Sequence, residues 1–307
     1  MFSIIFALAA QIDLGVEAWL DERDGLEVHA SHALSAESQF QAGSISKYAC
    51  TLIALRLVDE GKLSLDSDLS ELLPQYSGPS SQNITLESLL ANRSGLPDDL
   101  MPAFRADPSI AMAQHSAIDG ANKYAASAIN PDQGWSYDLG NWIIVQAVIE
   151  EATGKRLEQA AMDELFEPAG LSATRYEAGQ PSLVNSPDPN GSVRPIPPFL
   201  KCAGGLISTP AELLRLVDWA YTDGLARESL ERLHSITTET ENYTIGGRVR
   251  TIEGRVLSWQ SGSNGPYKSQ LVYDPASGSG WAAMSASNSS ESLSQARERW
   301  LADVWDN

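Results

Sequence analysis

The sequence predicts an α/β protein in which a sheet-and-helix domain is interrupted by an all-helical one. Three observations carry this: alternating apolar and polar residues on either side of a turn near the start, a long middle with helical signals only, and strand-like runs that return before a final helix. The predicted division places residues 1–60 and 205–307 in the discontinuous α/β domain and residues 61–204 in the helical one.

Leu14, Val16, Ala18 and Leu20 alternate with Glu17, Trp19 and Asp21, Asp24-Gly25 turns the chain, and Leu26, Val28 and Ala30 alternate again. This pattern is a β-hairpin. After Gly43-Ser44, the stretch from Ile45 to Glu60 has almost no polar face and meets Gly61, which reads as a buried helix with Ser44 at its N-terminal end. Helical segments follow, among them Trp142 to Thr153, closed by Gly154, and one around Leu157 to Leu165; no alternating run stands out between Leu63 and Leu200. Pro181 to Pro198, with Asn190-Gly191 inside it, reads as a long surface loop or crossover. Thr209-Pro210-Ala211-Glu212 offers a cap, a first-turn proline and a capping-box glutamate. Strand-like runs return at Arg248 to Leu257, Gln270 to Asp274 and Trp281 to Ser285, and the final helix can lay Leu293, Trp300, Leu301 and Val304 on the sheet.

Composition narrows the function. Forty acidic residues against 21 Lys and Arg leave a formal charge of -19, so phosphate neutralisation has little to work with, and nucleic acid and anionic membranes are poor partners. The acidity itself reads as a solvated surface and names no substrate. Cys50 and Cys202 are the two cysteines, too few for a bridge framework or a Cys-rich metal site; both are expected to be reduced core residues. Met1 to Ala10 is apolar without a basic start, which leaves a clipped export signal and a first structural element equally open, and with them the compartment. No stretch elsewhere reaches membrane-spanning length. His29, His32, His115 and His234 lack metal-ligand spacing and are expected at the surface. There is no phosphate loop, so no cofactor and no metal are implied.

Ser44-Ile45-Ser46-Lys47 carries the chemistry. Three residues apart on a helix, Ser44 and Lys47 share a face, and a lysine in apolar surroundings should lose proton affinity until it can take a proton from the hydroxyl. The helix N-terminus beside Ser44 favours developing negative charge. Alone, a serine three before a lysine is equally well explained as a helix cap.

Its surroundings change that. Phe40 to Lys47, Glu60-Gly61-Lys62-Leu63, Ile84-Thr85-Leu86 with Leu89-Leu90, Ser94-Gly95-Leu96-Pro97 and Gly204 to Thr209 follow in order. The chain resembles the serine β-lactamase and penicillin-binding protein superfamily, in the branch of class C β-lactamases and nearest to the family VIII carboxylesterases. The resemblance implies an antiparallel sheet flanked by N- and C-terminal helices, an inserted helical domain and an active site at their interface. It also implies Ser44 as nucleophile, Lys47 as base and Tyr137 as the phenol relaying protons with Lys47.

Two departures follow. The second motif normally has asparagine two places after the tyrosine, where this chain has Leu139, with Asp138 and Asn141 as imperfect substitutes. The third motif normally opens on lysine or histidine, where Gln260-Ser261-Gly262 stands, so a substrate carboxylate loses its usual partner unless Arg248 or Arg250 reaches in. The family's oxyanion amides carry over to Ser44 and Ser263. The implied activity is acyl transfer from a small ester or activated amide to water. A carboxylesterase is favoured because Leu139 and Gln260 remove polar handles that β-lactams and D-amino-acid peptides use; a β-lactamase or D-amino-acid peptidase, and a non-catalytic binding module, are the alternatives. Oligomeric state is not legible.

Overall fold

The computed structural model describes residues 12, 14–21, 25–31, 33–79, 84–130, 132–176, 183–185 and 195–305. The expected hairpin forms: strand β1 (Gly15–Asp21) pairs antiparallel with β2 (Gly25–Ala30) from Val16 opposite Ala30 to Asp21 opposite Gly25. Three very short strands, β3 (Phe40–Gln41), β4 (Arg175–Tyr176) and β5 (Leu206–Ser208), make a separate antiparallel sheet in the order β3-β5-β4. β4 lies where no strand was expected, because two residues cannot show alternation. The late strands are β6 (Val249–Ile252), β7 (Arg255–Asn264), β8 (Tyr267–Asp274) and β9 (Ser279–Ser285). Together with the first hairpin they form a six-stranded sheet in the order β2-β1-β9-β8-β7-β6, antiparallel throughout.

The run Arg248 to Leu257 is therefore not one strand but the two arms of a hairpin. It turns at Glu253-Gly254, both at positive φ (50° and 82°), and Gly254 was the turn signal inside the alternating pattern.

Side-chain parity divides the sheet's two faces. Val16, Ala18, Leu271, Tyr273, Ala282 and Met284 join the main core, while Val272, Trp281 and Ala283 face Leu293, Ala296, Trp300 and Leu301 of the C-terminal helix Glu291–Trp305. The side chain of Val304, expected on this face, lies outside the described residues. So do Met1 to Ala10 and most of Pro181 to Pro198.

On the main-core face lies helix α1 (Ile45–Asp59), twelve of whose fifteen residues are buried. Its apolar residues run all the way round because it has neighbours all the way round. Helix Gly140–Thr153 ends at Gly154 (φ 64°) as its sequence implies. Thr209 caps helix Pro210–Trp219 by accepting from the Glu212 amide at 3.2 Å. Glu212 does not complete a capping box: its carboxylate accepts from the Ser172 and Ala173 amides (2.9 Å each) and from Thr174 Oγ1 (2.6 Å), tying the chain before β4 to this helix.

The cysteines correct the reading from sequence. Cys50 on α1 and Cys202 on the short helix Lys201–Gly204 form a disulfide, with Cα atoms 5.7 Å apart and 152 residues between them in sequence. Nothing local to either cysteine signals a partner so distant; packing of the two helices brings them together.

Candidate active site

Every residue from Phe40 to Leu55 is buried except Ser44, which is half-buried at the first turn of α1. The backbone around it is held from several sides. The Ala42 amide donates to the Leu206 carbonyl (2.8 Å), Ser269 Oγ donates to the Ala42 carbonyl (2.7 Å), and Ser46 Oγ donates to the Gly43 carbonyl (2.6 Å) while accepting from the Leu206 amide (2.9 Å). Two glycines allow the approach of β7. A Cβ on Gly43, itself at φ 54°, would stand 2.5 Å from the Ser263 nitrogen, and one on Gly262 would collide with the Ala42 carbonyl and with Ser269 Oγ. The Ser263 amide therefore lies against the residue preceding Ser44.

Lys47 is only 2% exposed. Its Nζ donates to Ser44 Oγ at 3.2 Å and to the Ala203 carbonyl at 2.7 Å, and sits 4.9 Å from the centroid of the Tyr137 ring. Tyr137 keeps 36% of its surface exposed. Burial is the largest single influence on its phenol and opposes ionisation, but the Lys47 charge, hydrogen bonding to Ser44 and Lys47 and the Arg248 charge together outweigh it, so the phenol lies below the ordinary tyrosine range. The structure thus brings together Ser44, Lys47, Tyr137, Gly262 and Ser263.

Residues next to Tyr137 go elsewhere. Asp138 is buried and accepts from the amide (3.1 Å) and Nδ2 (2.7 Å) of Asn141; burial pushes its carboxyl up to about 7. Asn141 Oδ1 accepts from Ser94 Oγ at 2.5 Å, and Asn92 Oδ1 accepts from Trp142 Nε1 at 3.1 Å. Asn141, expected as a substitute for the missing asparagine, is an inward brace of the Ser94-Gly95-Leu96-Pro97 loop. Leu139 is partly buried against the main core.

Gln260 is buried as well. Its Nε2 donates to the Arg248 carbonyl (3.3 Å) and Ser258 Oγ (3.2 Å), and its Oε1 accepts from the Arg248 amide (3.4 Å), so its amide fastens β7 to the chain entering β6. Ser261 and Ser263 have exposed side chains; Ser263 Oγ accepts from Lys268 Nζ at 2.8 Å.

Of the two arginines considered as stand-in cations, Arg248 reaches Tyr137, its guanidinium carbon 5.4 Å from that ring's centroid and 5.3 Å from that of Tyr243. Arg250 instead lies over Trp259 at 4.4 Å, a ring that Arg297 also approaches at 4.5 Å. Arg248 precedes the first residue of β6, so strand alternation does not tie it to the face of Arg250. Sequence reasoning missed Tyr243, a buried phenol that meets Tyr137 edge-on and accepts from Asn92 Nδ2 at 2.8 Å, and the Ala203 carbonyl, which has no side-chain signature. A groove of about 480 Å³ lined by Tyr221, Arg227, Leu230, Glu231, His234, Ser235 and Pro275 contains no member of this set. Among the described residues, no group of His, Cys, Asp and Glu is placed to hold a metal ion.

With the geometry in hand, comparison with known proteins is decisive at the level of family: the family model described as Beta-lactamase matches residues 12–304. The chain belongs to the β-lactamase family. Among the curated members it resembles, penicillin-binding protein 4 of Amycolatopsis lactamdurans is 24% identical over 245 residues, covering 75% of this chain and 63% of that protein. Esterase EstB of Burkholderia gladioli is 24% identical over 180 residues, covering 54% and 46%. The chain spans less than two thirds of the length of these relatives. Among solved structures, a penicillin-binding protein from Bacillus halodurans superposes with a TM-score of 0.79 at 18% identity, covering 93% of this chain and 95% of that one. A D-stereospecific amidohydrolase from Streptomyces sp. superposes with a TM-score of 0.77 at 20% identity, covering 92% of each. These superpositions show that the antiparallel sheet and its helices are the fold of penicillin-binding proteins and β-lactamases, as the motifs implied.

Proposed function

We propose that the chain is a serine hydrolase that works through an acyl-enzyme and acts as a carboxylesterase on uncharged esters. The observation that carries the reading is the contact of the buried Lys47 Nζ with Ser44 Oγ at 3.2 Å, under the ring of Tyr137. In this reading Ser44 Oγ attacks the ester carbonyl and its proton passes to the Lys47–Tyr137 pair, whose phenol is already more acidic than usual. The oxyanion forms between the Ser44 and Ser263 amides, which the fixed approach of β7 to Gly43 supports. The pair returns the proton to the departing alkoxide, and then activates water against the acyl-enzyme.

Support for the esterase rather than the lactamase or peptidase reading comes from the third motif. Gln260 carries no charge and its amide is already bonded to Arg248 and Ser258. Arg248, over Tyr137, is itself ion-paired with Glu241. A substrate carboxylate therefore misses a charge-assisted hydrogen bond of roughly 1.5–3 kcal/mol, about tenfold or more in kcat/KM. The test compares kcat/KM for a short-chain p-nitrophenyl ester, nitrocefin and a peptide ending in D-alanine. The expected order is ester first by at least about tenfold; nitrocefin turnover equal to ester turnover overturns the esterase assignment.

A further inference from the structure

Arg248 brings a cation over Tyr137 where the third motif offers none, and a carboxylate already engages it. The guanidinium lies over Tyr137 and Tyr243, with 22% of the side chain exposed, and its Nε donates to Glu241 Oε2 at 2.6 Å; the carboxylate side chain is 52% exposed. Glu241 is held there by an unusual turn. Glu241 and Asn242 are both non-glycine residues in the left-handed region, at φ 57° and 49°. That conformation is unfavourable for two successive side-chain-bearing residues and persists where the surrounding structure imposes it. Here Thr237 and Thr238 both donate to the Tyr243 carbonyl (2.9 and 3.3 Å), Asn242 donates to the Glu239 carbonyl (3.2 Å), and Tyr243 bridges to Arg248. The turn thus fixes a carboxylate on the one arginine of the pair that reaches the catalytic tyrosine's ring.

We propose that the Glu241–Arg248 pair is a specificity filter, in which Glu241 occupies the guanidinium that would otherwise bind the carboxylate of an anionic ester or β-lactam. The inference rests on the serine-hydrolase reading of Ser44 and deepens it. A carboxylate tethered on the same short loop competes at an effective concentration on the order of millimolar or above, beyond that of a dilute substrate, and it repels a second carboxylate approaching Arg248. Removing the charge of Glu241 while keeping its shape leaves Arg248 over Tyr137 with an open donor fork, suited to bidentate capture of a carboxylate.

The test uses two p-nitrophenyl esters, the neutral butyrate and the carboxylate-bearing hemisuccinate, and reads the ratio of their kcat/KM in wild type, Glu241→Gln, Arg248→Gln and the double variant. Glu241→Gln should raise the hemisuccinate-to-butyrate ratio about tenfold, the double variant should lose that gain, and Arg248→Gln alone should not raise the ratio, because it leaves the Glu241 carboxylate unpaired to repel the substrate's. A ratio unchanged in Glu241→Gln, or a gain that persists in the double variant, overturns the filter. Stoichiometric release of p-nitrophenol from a neutral and a carboxylate-bearing phosphonate supplies the same ratio if turnover is slow, and near-ultraviolet circular dichroism confirms the fold of each variant. Failure of the parent reading has a separate signature: neither phosphonate then labels Ser44 in the wild type.

Discussion

The wall of the site formed by Ala42, Gly43, Gly262 and Ser263 differs in kind from the wall formed by Tyr137, Tyr243 and Arg248. The first is backbone: the turn between β3 and α1 and the strand β7 approach so closely that side chains are excluded at Gly43 and Gly262, and the amide of Ser263 is placed by that exclusion. The second is side chains, stacked edge to face and ordered by charges from Lys47, Arg248 and Glu241. A backbone wall admits almost no substitution, so its sequence signature survives as glycines at fixed places. A side-chain wall can be rebuilt with other residues, and the two departures from the family pattern, Leu139 and Gln260, flank it in sequence or by contact: Leu139 follows Tyr137 by two places, and Gln260 bonds the Arg248 backbone.

The sharpest way to break this contrast is to substitute within the backbone wall. Gly262→Ala must push β7 away from Ala42 and carry the Ser263 amide with it. Turnover should fall roughly a hundred- to a thousandfold, the cost of losing one oxyanion donor, whereas Ser263→Ala, which leaves the amide in place, should stay within about threefold. Steady-state rates of the two purified variants decide it, and equal losses would show that the Ser263 side chain, not its amide, matters.

The side-chain wall depends on a brace behind it. The Cys50–Cys202 bridge holds α1 to the helix whose Ala203 carbonyl accepts from Lys47. Removing both cysteines as Cys50→Ala with Cys202→Ala should cost roughly 2–5 kcal/mol in urea unfolding, the upper end being the loop-closure value for so long an enclosed segment. Thiol titration of the unfolded wild type without reductant should find no free thiol; two would show that the bridge does not form.

A third effect concerns Asp138. Its carboxyl titrates near the ordinary value of 3.8 in the unfolded chain and at about 7 when folded. The stability that the neutral form contributes is complete below the unfolded value, and it is lost as pH rises through the folded one. Asp138→Asn cannot ionise, so its stability relative to wild type should improve between roughly pH 5 and 7, by at most about 1.4 kcal/mol per unit, and level off above. Urea unfolding across that range checks this, and a difference independent of pH would place a charged Asp138 in the core.

These contrasts also mark what the sequence made legible. Local periodicity was enough for α1 and for Ser44 and Lys47 on one of its faces, because a helix converts spacing into direction. The order of motifs along the chain was enough for the family. Spacing could not say that Tyr137 faces Lys47 while Asp138 turns inward to Asn141 and Asn141 to Ser94, since consecutive residues before a helix have no fixed period. The disulfide, the Ala203 carbonyl and the Tyr243 contact all join segments far apart in the chain, and none leaves a trace at either end. Arg248 and Arg250 looked equivalent in the strand pattern; only the start of β6 at Val249 separates them.

The central claim is that Ser44 is the nucleophile, and the most direct measurement is mass spectrometry of the protein after reaction with a p-nitrophenyl phosphonate, with Ser44→Ala in parallel. The account predicts one phosphonyl adduct per wild-type chain, mapped to the peptide bearing Ser44, and none on the folded Ser44→Ala variant, which should also lose ester hydrolysis by at least about a thousandfold. An adduct on another residue, or a Ser44→Ala protein that still hydrolyses esters at the wild-type rate, would contradict it.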